Sequence, residues 1–411
     1  MTGIAGYLGR ELAATLDVDE TTEHVLGIDV APYVSPSQKI AFVQKSVEEP
    51  LGDLFVEHKV DAAIHLAFCL DPVRDRAKEE RVNIEGTKSF LDACSRAKVG
   101  TVLVLSSATA YGAHEDNPQV LYEGAPLRAM PDFPYAHDKV RVEELCYEFA
   151  RTNPEACLII VRPCVIIGPH VSNFISRMLE KPILFAARGY DPPVQLVHED
   201  DAVRAIFRLL KFRKMGVFNL AADGALTLSR VAQMANRHIF RLPLFLLRFI
   251  MKLGWNMGWT RVTEAPPGYL DFALYPWLIS NVKLKTELLF LFKFDALRAF
   301  QDYLDARAEQ LGLPRKNDDL LLDVEDEDLD ELEAADSSLE ESASAPLPPA
   351  PDFSGEPLAG PNDPTPPTGM PRPFGDSAPG PPPVEFGTTP APETPPLPAP
   401  TPEPSEPKPS S

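Results

Sequence analysis

Two rhythms alternate along the chain between Val25 and His238. Short apolar, often β-branched runs at Val25–Val30, Ile40–Val43, Asp61–Ala67, Gly100–Ser106, Ala156–Arg162 and Gly216–Leu220 predict strands. Asp61–Ala67 and Gly100–Ser106 are mostly apolar without strict alternation, as in strands buried on both faces. Segments of helical period lie around them, at Arg10–Leu16, Val82–Ala97, Tyr135–Thr152 and Leu228–His238. Strand–helix alternation predicts an α/β chain with a Rossmann-like, doubly wound parallel sheet over residues 1–165. Beyond that the pattern loosens. Residues 166–316 read as a smaller C-terminal substrate-binding and cap region with interleaved Rossmann elements. Residues 240–300 are rich in Leu, Phe and Trp and predict a mainly helical cap. Within them Leu242–Trp259 is interrupted by Arg248 and Lys252, so it predicts an amphipathic helix, with membrane-surface contact a minor reading, and no integral membrane segment.

Composition divides the chain again. Of 411 residues 60 are acidic and 39 basic, for a net charge of −21. From Asn317 onward lie 21 of the acidic residues but only two basic ones, so that segment carries −19 and residues 1–316 carry −2. Of the 44 prolines, 25 fall between residues 341 and 411. Residues 317–411 are therefore expected to be an acidic, then proline-rich, disordered tail, since such a composition buries no core. Docking of a protein partner is the sharper reading of that tail. A near-neutral core offers no electrostatic footprint for nucleic acid. Five cysteines without paired spacing fit buried thiols in a reducing cytoplasm, and no basic region precedes an apolar leader at the N-terminus.

Residues 2–9 read TGIAGYLG. Gly3, Gly6 and Gly9 let the backbone turn tightly and approach a pyrophosphate held at the following helix N-terminus. Asp29 ends the next strand, twenty residues after Gly9, where a carboxylate accepts from a ribose 2′-hydroxyl. It would repel a 2′-phosphate, which favours NAD over NADP. Only Met1 and Thr2 precede the motif, although such a loop follows the central strand of a 3-2-1-4-5-6 sheet. The expectation is that this strand is missing because the true start lies upstream.

Tyr135 and Lys139 form a YxxxK, which places phenol and ammonium on one helical face. A neighbouring ammonium lowers a tyrosine pKa, and such a tyrosine takes or returns a hydroxyl proton. Ser107 follows the strand GTVLVLS, where a hydroxyl faces the ligand crevice and can polarise the substrate oxygen. Asn83 reads as a helix N-cap or as a contact near the site.

These motifs, with IHLA (Ile64–Ala67), NIEGT, SSATAYG, RPCVIIGP (Arg162–Pro169) and VHEDDA (Val197–Ala202), resemble the extended short-chain dehydrogenases/reductases of the NAD-dependent epimerase/dehydratase family, in order and over about residues 2–300. The resemblance implies catalytic Ser107, Tyr135 and Lys139 with supporting Asn83. It implies NAD held by Gly3, Gly6, Gly9, Asp29, Tyr135 and Lys139, with Ala67 near the nicotinamide ribose and Pro163 near the ring. It also implies a homodimer through the Tyr135/Lys139 helix.

Departures narrow the reaction. Ala108 and Thr109 replace the Asp-Glu pair of related 4,6-dehydratases. Val165 and Val194 stand where related UDP-sugar epimerases carry an Asn and a diphosphate-binding Arg, and Arg177 and Arg188 are the cations that could compensate. Ser46 replaces an adenine-contacting Asp. His198-Glu199-Asp200-Asp201 is metal-capable in type, but in the resemblance it closes the substrate loop, and no metal is expected. The reading is an NAD-dependent epimerase or dehydrogenase acting on a secondary alcohol of a sugar nucleotide or other small substrate. A hydroxysteroid-dehydrogenase-like enzyme for an apolar alcohol, and a non-catalytic dinucleotide-binding scaffold, are the alternatives.

Overall fold

The computed structural model describes residues 1–70, 75–172, 174–181, 183–259, 263 and 265–311. The expected tail, residues 317–411, lies outside them. The strands are β1 (Val25–Asp29), β2 (Ile40–Gln44), β3 (Ala62–His65), β4 (Thr101–Leu105), β5 (Cys157–Pro163), β6 (Val165–Ile167), β7 (Ile183–Ala187), β8 (Pro193–Val194), β9 (Leu196–His198), β10 (Gly216–Leu220), β11 (Leu226–Thr227) and β12 (His238–Leu242). The helices are α1 (Tyr7–Val18), α2 (Gly52–Glu57), α3 (Arg76–Glu80), α4 (Gly86–Ala97), α5 (Pro134–Thr152), α6 (Phe174–Glu180), α7 (Glu199–Lys211), α8 (Leu228–Met234), α9 (Leu244–Met257), α10 (Val282–Leu288) and α11 (Ala296–Gln310).

The main sheet is parallel throughout. β2 pairs with β1, and β3, β4, β5 and β10 pair in that order. Thr2 joins the two parts, bridging Ile28 of β1 and His65 of β3. Its N–H donates to Ile64 O at 2.9 Å, the Gly3 N–H donates to Ile28 O at 2.9 Å, and the Ile28 N–H donates to Met1 O at 2.9 Å. Met1–Gly3 thus stand where the sequence reading found the first strand wanting, and the sheet order becomes β2-β1-Thr2-β3-β4-β5-β10. The Thr2 hydroxyl also bonds His65 Nδ1 at 2.7 Å, while His65 Nε2 bonds the Thr87 hydroxyl at 3.1 Å. Burial, then Lys139 and the Met1 amine, push the His65 pKa down to about 3.

Both faces of this sheet are covered, as doubly wound sheets require. Leu103 of β4 packs in a core with Leu12 of α1 and Leu209 of α7. Its neighbours Val102 and Val104 pack on the other face with Phe90 of α4 and Leu145 of α5.

Three local readings are corrected. The helix expected from Val82 opens with a π-helical turn, Arg81–Glu85, and Asn83 sits inside it rather than capping it. α8 stops at Met234 because Asn236 adopts a left-handed φ of 53°, which a helix does not continue. The next residues therefore form β12, which pairs in parallel with β7, so the expected helical cap begins with a two-stranded ribbon. Among the described residues no helix is long and apolar enough to cross a membrane.

A buried ion pair fixes α5 on the sheet. Arg162, in β5, donates from Nε and Nη2 to the two oxygens of Glu143 in α5, at 2.8 and 2.6 Å. The side chains are 2% and 0% exposed. Arg162 Nη1 donates to the Tyr111 hydroxyl at 2.6 Å and to Glu123 O at 2.9 Å. Tyr111 donates in turn to Asn219 Oδ1 of β10, and Ser106 donates to Glu143 Oε1. Breaking such a pair leaves a buried charge unpaired. Arg162→Met should cost about 3–5 kcal/mol, and Arg162→Met/Glu143→Leu together should recover most of it, both read from urea unfolding.

His65 yields a pH prediction. Between about pH 6.5 and 3 the unfolded chain holds a proton on His65 that the folded chain does not. This contribution is present above pH 6.5 and is lost as pH falls towards 3, by at most about 1.4 kcal/mol per pH unit. Urea midpoints across that range should fall more steeply for the parent than for His65→Gln. Equal slopes would show that His65 is not held neutral.

Candidate functional site

The glycine loop closes on itself and on the chain after β3. Gly3 has φ +77°, and a Cβ there would lie 2.7 Å from the Ala67 backbone N. A Cβ on Gly9 would lie 2.1 Å from Gly3 O. Neither position admits a side chain. Gly6 caps α1 without a side-chain bond, leaving the first-turn amides to an outside acceptor. Asp29, at the end of β1, accepts from the Ala5 N–H at 2.9 Å and the Ala31 N–H at 3.0 Å. Two carboxylate oxygens have about four acceptor sites, so hydroxyl donors still have room.

Helix α5 starts with Pro134 at its first turn, a residue whose fixed φ suits that place. Ala136, Lys139, Val142, Glu143, Cys146 and Phe149 form its buried face. Tyr135 and Lys139 therefore open the edge that meets the end of β4. Ser107, just past β4, caps the 3-10 turn Ala108–Tyr111 and accepts from the Thr109 N–H and hydroxyl. It is also the side chain that draws the Tyr135 phenol down. Lys139 Nζ donates to Leu105 O at 2.7 Å and sits 3.4 Å from the Phe68 ring centroid.

The electrostatics differ from the simple expectation. Burial pushes Tyr135 up to about 12, and the group that pulls it down is Ser107, not Lys139. Burial pushes Lys139 down to about 7, while Glu143 and Asp138 pull it up. A 2%-exposed ammonium over an aromatic ring is desolvated, and burial disfavours its charged form.

Asn83 does not line the cavity. It accepts from the Cys69 N–H at 2.9 Å and donates to Asp138 Oδ2 at 2.8 Å, and Asp138 is also ion-paired with Arg76. It thus ties the loop after β3 to α5. Sequence reading missed Phe68, Asp138 and Glu143. Glu143 had a signal, because it lies one turn beyond Lys139. The His198–Asp201 cluster disperses: His198 caps α7 and bonds Asp302, Glu199 bonds His170, and Asp201 accepts from the Lys293 and Phe294 amides.

The glycine loop and the ends of β1 and β4 border one cavity with the start of α5, about 940 Å³ in volume. Gly3, Gly6, Gly9, Asp29, Ala67, Ser107, Tyr135, Lys139 and Pro163 line it. Ser46, Thr109, Val165 and Val194, four of the positions where the chain departs from its resemblance, line it as well. Arg177 and Arg188 are not among its lining residues. Beyond Tyr135 the wall is Val165, Ile175, Met178, Val194, Leu226 and Val231, closed by Phe272 and Trp277.

A family model described as the NAD dependent epimerase/dehydratase family matches residues 1–221. An uncharacterised protein of Mycobacterium tuberculosis is 26% identical over 315 residues, 75% of this chain and 83% of that protein. UDP-glucose 4-epimerase 2 of Oryza sativa subsp. japonica is 26% identical over 194 residues, 43% of this chain and 46% of the relative. Among solved structures, MoeE5 in complex with UDP-glucose and NAD matches with a TM-score of 0.60 at 20% identity, over 75% of this chain and 98% of that chain. The UDP-glucose 4-epimerase of Thermus thermophilus, in complex with NAD, matches with a TM-score of 0.59 at 18% identity, over 74% of this chain and 97% of that one. At these identities the structures share the fold. Since the family model covers more than half of the sequence, the chain belongs to the NAD dependent epimerase/dehydratase family.

Proposed function

We propose that the chain is an NAD-dependent oxidoreductase acting on a secondary alcohol, with Tyr135 as the group that moves the hydroxyl proton. The observation that carries this reading is the convergence of Ser107, Tyr135 and Lys139 on the cavity that the glycine loop and Asp29 also line. The residues fit NAD: the glycine loop leaves room for a pyrophosphate, the α1 amides face it, and Asp29 accepts from ribose hydroxyls. Bound NAD supplies the hydride acceptor. Tyr135 near 12 is protonated at neutral pH, the form that donates to a ketone oxygen. In the reverse direction Tyr135 first releases its phenol proton to solvent; the phenolate, supported by the Ser107 hydroxyl and by positive charge on Lys139, then takes the alcohol proton. Ser107 polarises the same oxygen. Asn83 and Asp138 support α5 from behind.

Epimerisation of a nucleotide sugar would require oxidation and re-reduction at the same carbon with the cofactor retained. The cavity wall favours a second reading, a dehydrogenase or reductase for an apolar alcohol. Val165 and Val194 offer nothing to a diphosphate, and burying that charge without donors is costly. Among the described lining residues the basic ones are Lys45, Lys78 and Lys139, and Lys139 belongs to the catalytic set.

Product analysis with nucleotide sugars, whose epimerisation leaves no net NADH, and NADH absorbance with apolar secondary alcohols separate the two readings. Tyr135→Phe should lower kcat by about 10²–10⁴-fold and leave cofactor affinity largely unchanged. Unchanged turnover would remove Tyr135 from the chemistry. A protein that binds neither cofactor form would sink the enzyme reading.

A further inference from the structure

We infer that α9 and the exposed face of the β7–β12 ribbon form a docking surface for an anionic lipid bilayer. α9 buries Leu247 and packs it against Leu270 and Leu274. Its other face stays in water, with Phe245 75%, Phe249 62% and Met257 54% exposed. Phe240 of β12, just before it in the chain, and Phe185 of β7, its strand partner, are 56% and 48% exposed, with ring centroids 6.2 Å apart. Exposed aromatic and aliphatic groups gathered in this way mark an interaction site.

Charge identifies the occupant. In sequence, Gly224–Thr263 contains six basic residues and no acidic one, within a chain of net charge −21, and in space Arg241 is offset by Asp191 at 3.4 Å. Arg248 pairs with Asp271 at 2.9 Å, while Lys252 is exposed between Phe249 and Leu253. A helix with apolar side chains standing out beside cations fits the headgroup boundary of an anionic membrane. A second copy fits worse, because a two-fold interface built on α9 would bring Lys252 towards its own copy. Side chains this exposed project from the surface rather than line a groove, which suits a soft phase better than a rigid partner.

The position gives the surface a use. α9 packs on the 3-10 segment Pro267–Ala273, whose Tyr269, Phe272 and Ala273 line the cavity. The docking helix is one layer from the cavity's apolar wall. The inference itself stands on the outer surface and does not depend on the reaction proposed above.

The test is sedimentation of the full chain with vesicles of phosphatidylcholine alone or mixed with phosphatidylglycerol. The mixed vesicles should carry the protein down and shift tryptophan emission to the blue, and raised salt should weaken both effects. Phe245→Ser/Phe249→Ser should lower partitioning at least about tenfold. Lys252→Glu should lower it on the order of tenfold. NADH affinity and the urea midpoint should stay at parental values, which separates this surface from the cavity. The proposal is overturned if mixed vesicles leave the protein in solution, if the variants bind as the parent does, or if the phenylalanine variants instead dissociate a dimer in free solution.

Discussion

The Arg162–Glu143 pair is the constraint on which the site depends. Tyr135 and Lys139 are useful only if α5 sits at one height and rotation against the end of β4. Glu143 shares their face of α5, and Arg162 is anchored in β5, the strand beside β4. A bidentate guanidinium–carboxylate contact fixes direction as well as distance, which a lysine would not do. Ser106, adjacent to Ser107, bonds the same carboxylate. One buried charge pair thus holds the serine strand and the tyrosine helix in register. Its net contribution to stability is small once desolvation is counted, and its value lies in admitting one arrangement.

The same burial that makes the pair specific sets the protonation states beside it. Lys139 has Phe68 on one side and Leu105 O on the other, so its ammonium keeps its charge chiefly through Glu143 and Asp138. Tyr135 lies against Phe68 and Phe133, with Ser107 as its polar neighbour. Tyr135 is therefore pushed up while Lys139 is pushed down, each away from its charged form. Any positive charge brought near the phenol, and any anion brought near the amine, shifts the two back. Such a site responds to what enters it because desolvation has left the pair poised.

Much of this is legible in the sequence, for physical reasons that also mark the limit. The strands around β4 and β5 are buried on both faces, so their apolar runs are unambiguous. The glycine loop announces itself because Gly3 and Gly9 have no space for a Cβ. That Ser107, Tyr135 and Lys139 meet at one cavity is expected from the YxxxK spacing and from the place of Ser107 after β4. What escapes depends on tertiary contact. β6, β8, β9 and β11 span two or three residues each and have no period to read. The π turn at Asn83 is stabilised by bonds to Cys69 and Asp138, neither close in sequence. The i, i+4 spacing predicts that Lys139 lowers Tyr135, yet the lysine side chain is drawn to Leu105 O. The first strand is half legible: the glycine motif calls for a strand before it, but that Met1–Gly3 bond to β1 and β3 is not legible.

Net charge is a poor guide to what such a chain meets. The average of −21 suggests repulsion from any anionic partner. Yet charges separated by more than about 8 Å are largely screened at physiological ionic strength, so a surface responds to its own neighbourhood. Residues 1–316 are almost neutral, and their cations are drawn to different tasks. Arg162 is consumed by Glu143, Lys139 faces the cavity, and Gly224–Thr263 gathers basic residues without a single acid. Of that stretch, Arg248 and Lys252 lie on α9 beside Phe245 and Phe249, which stand out into water, and Arg248 is offset by Asp271. A face kept both apolar and cationic in an acidic protein is costly to solubility, and that cost needs a contact to offset it.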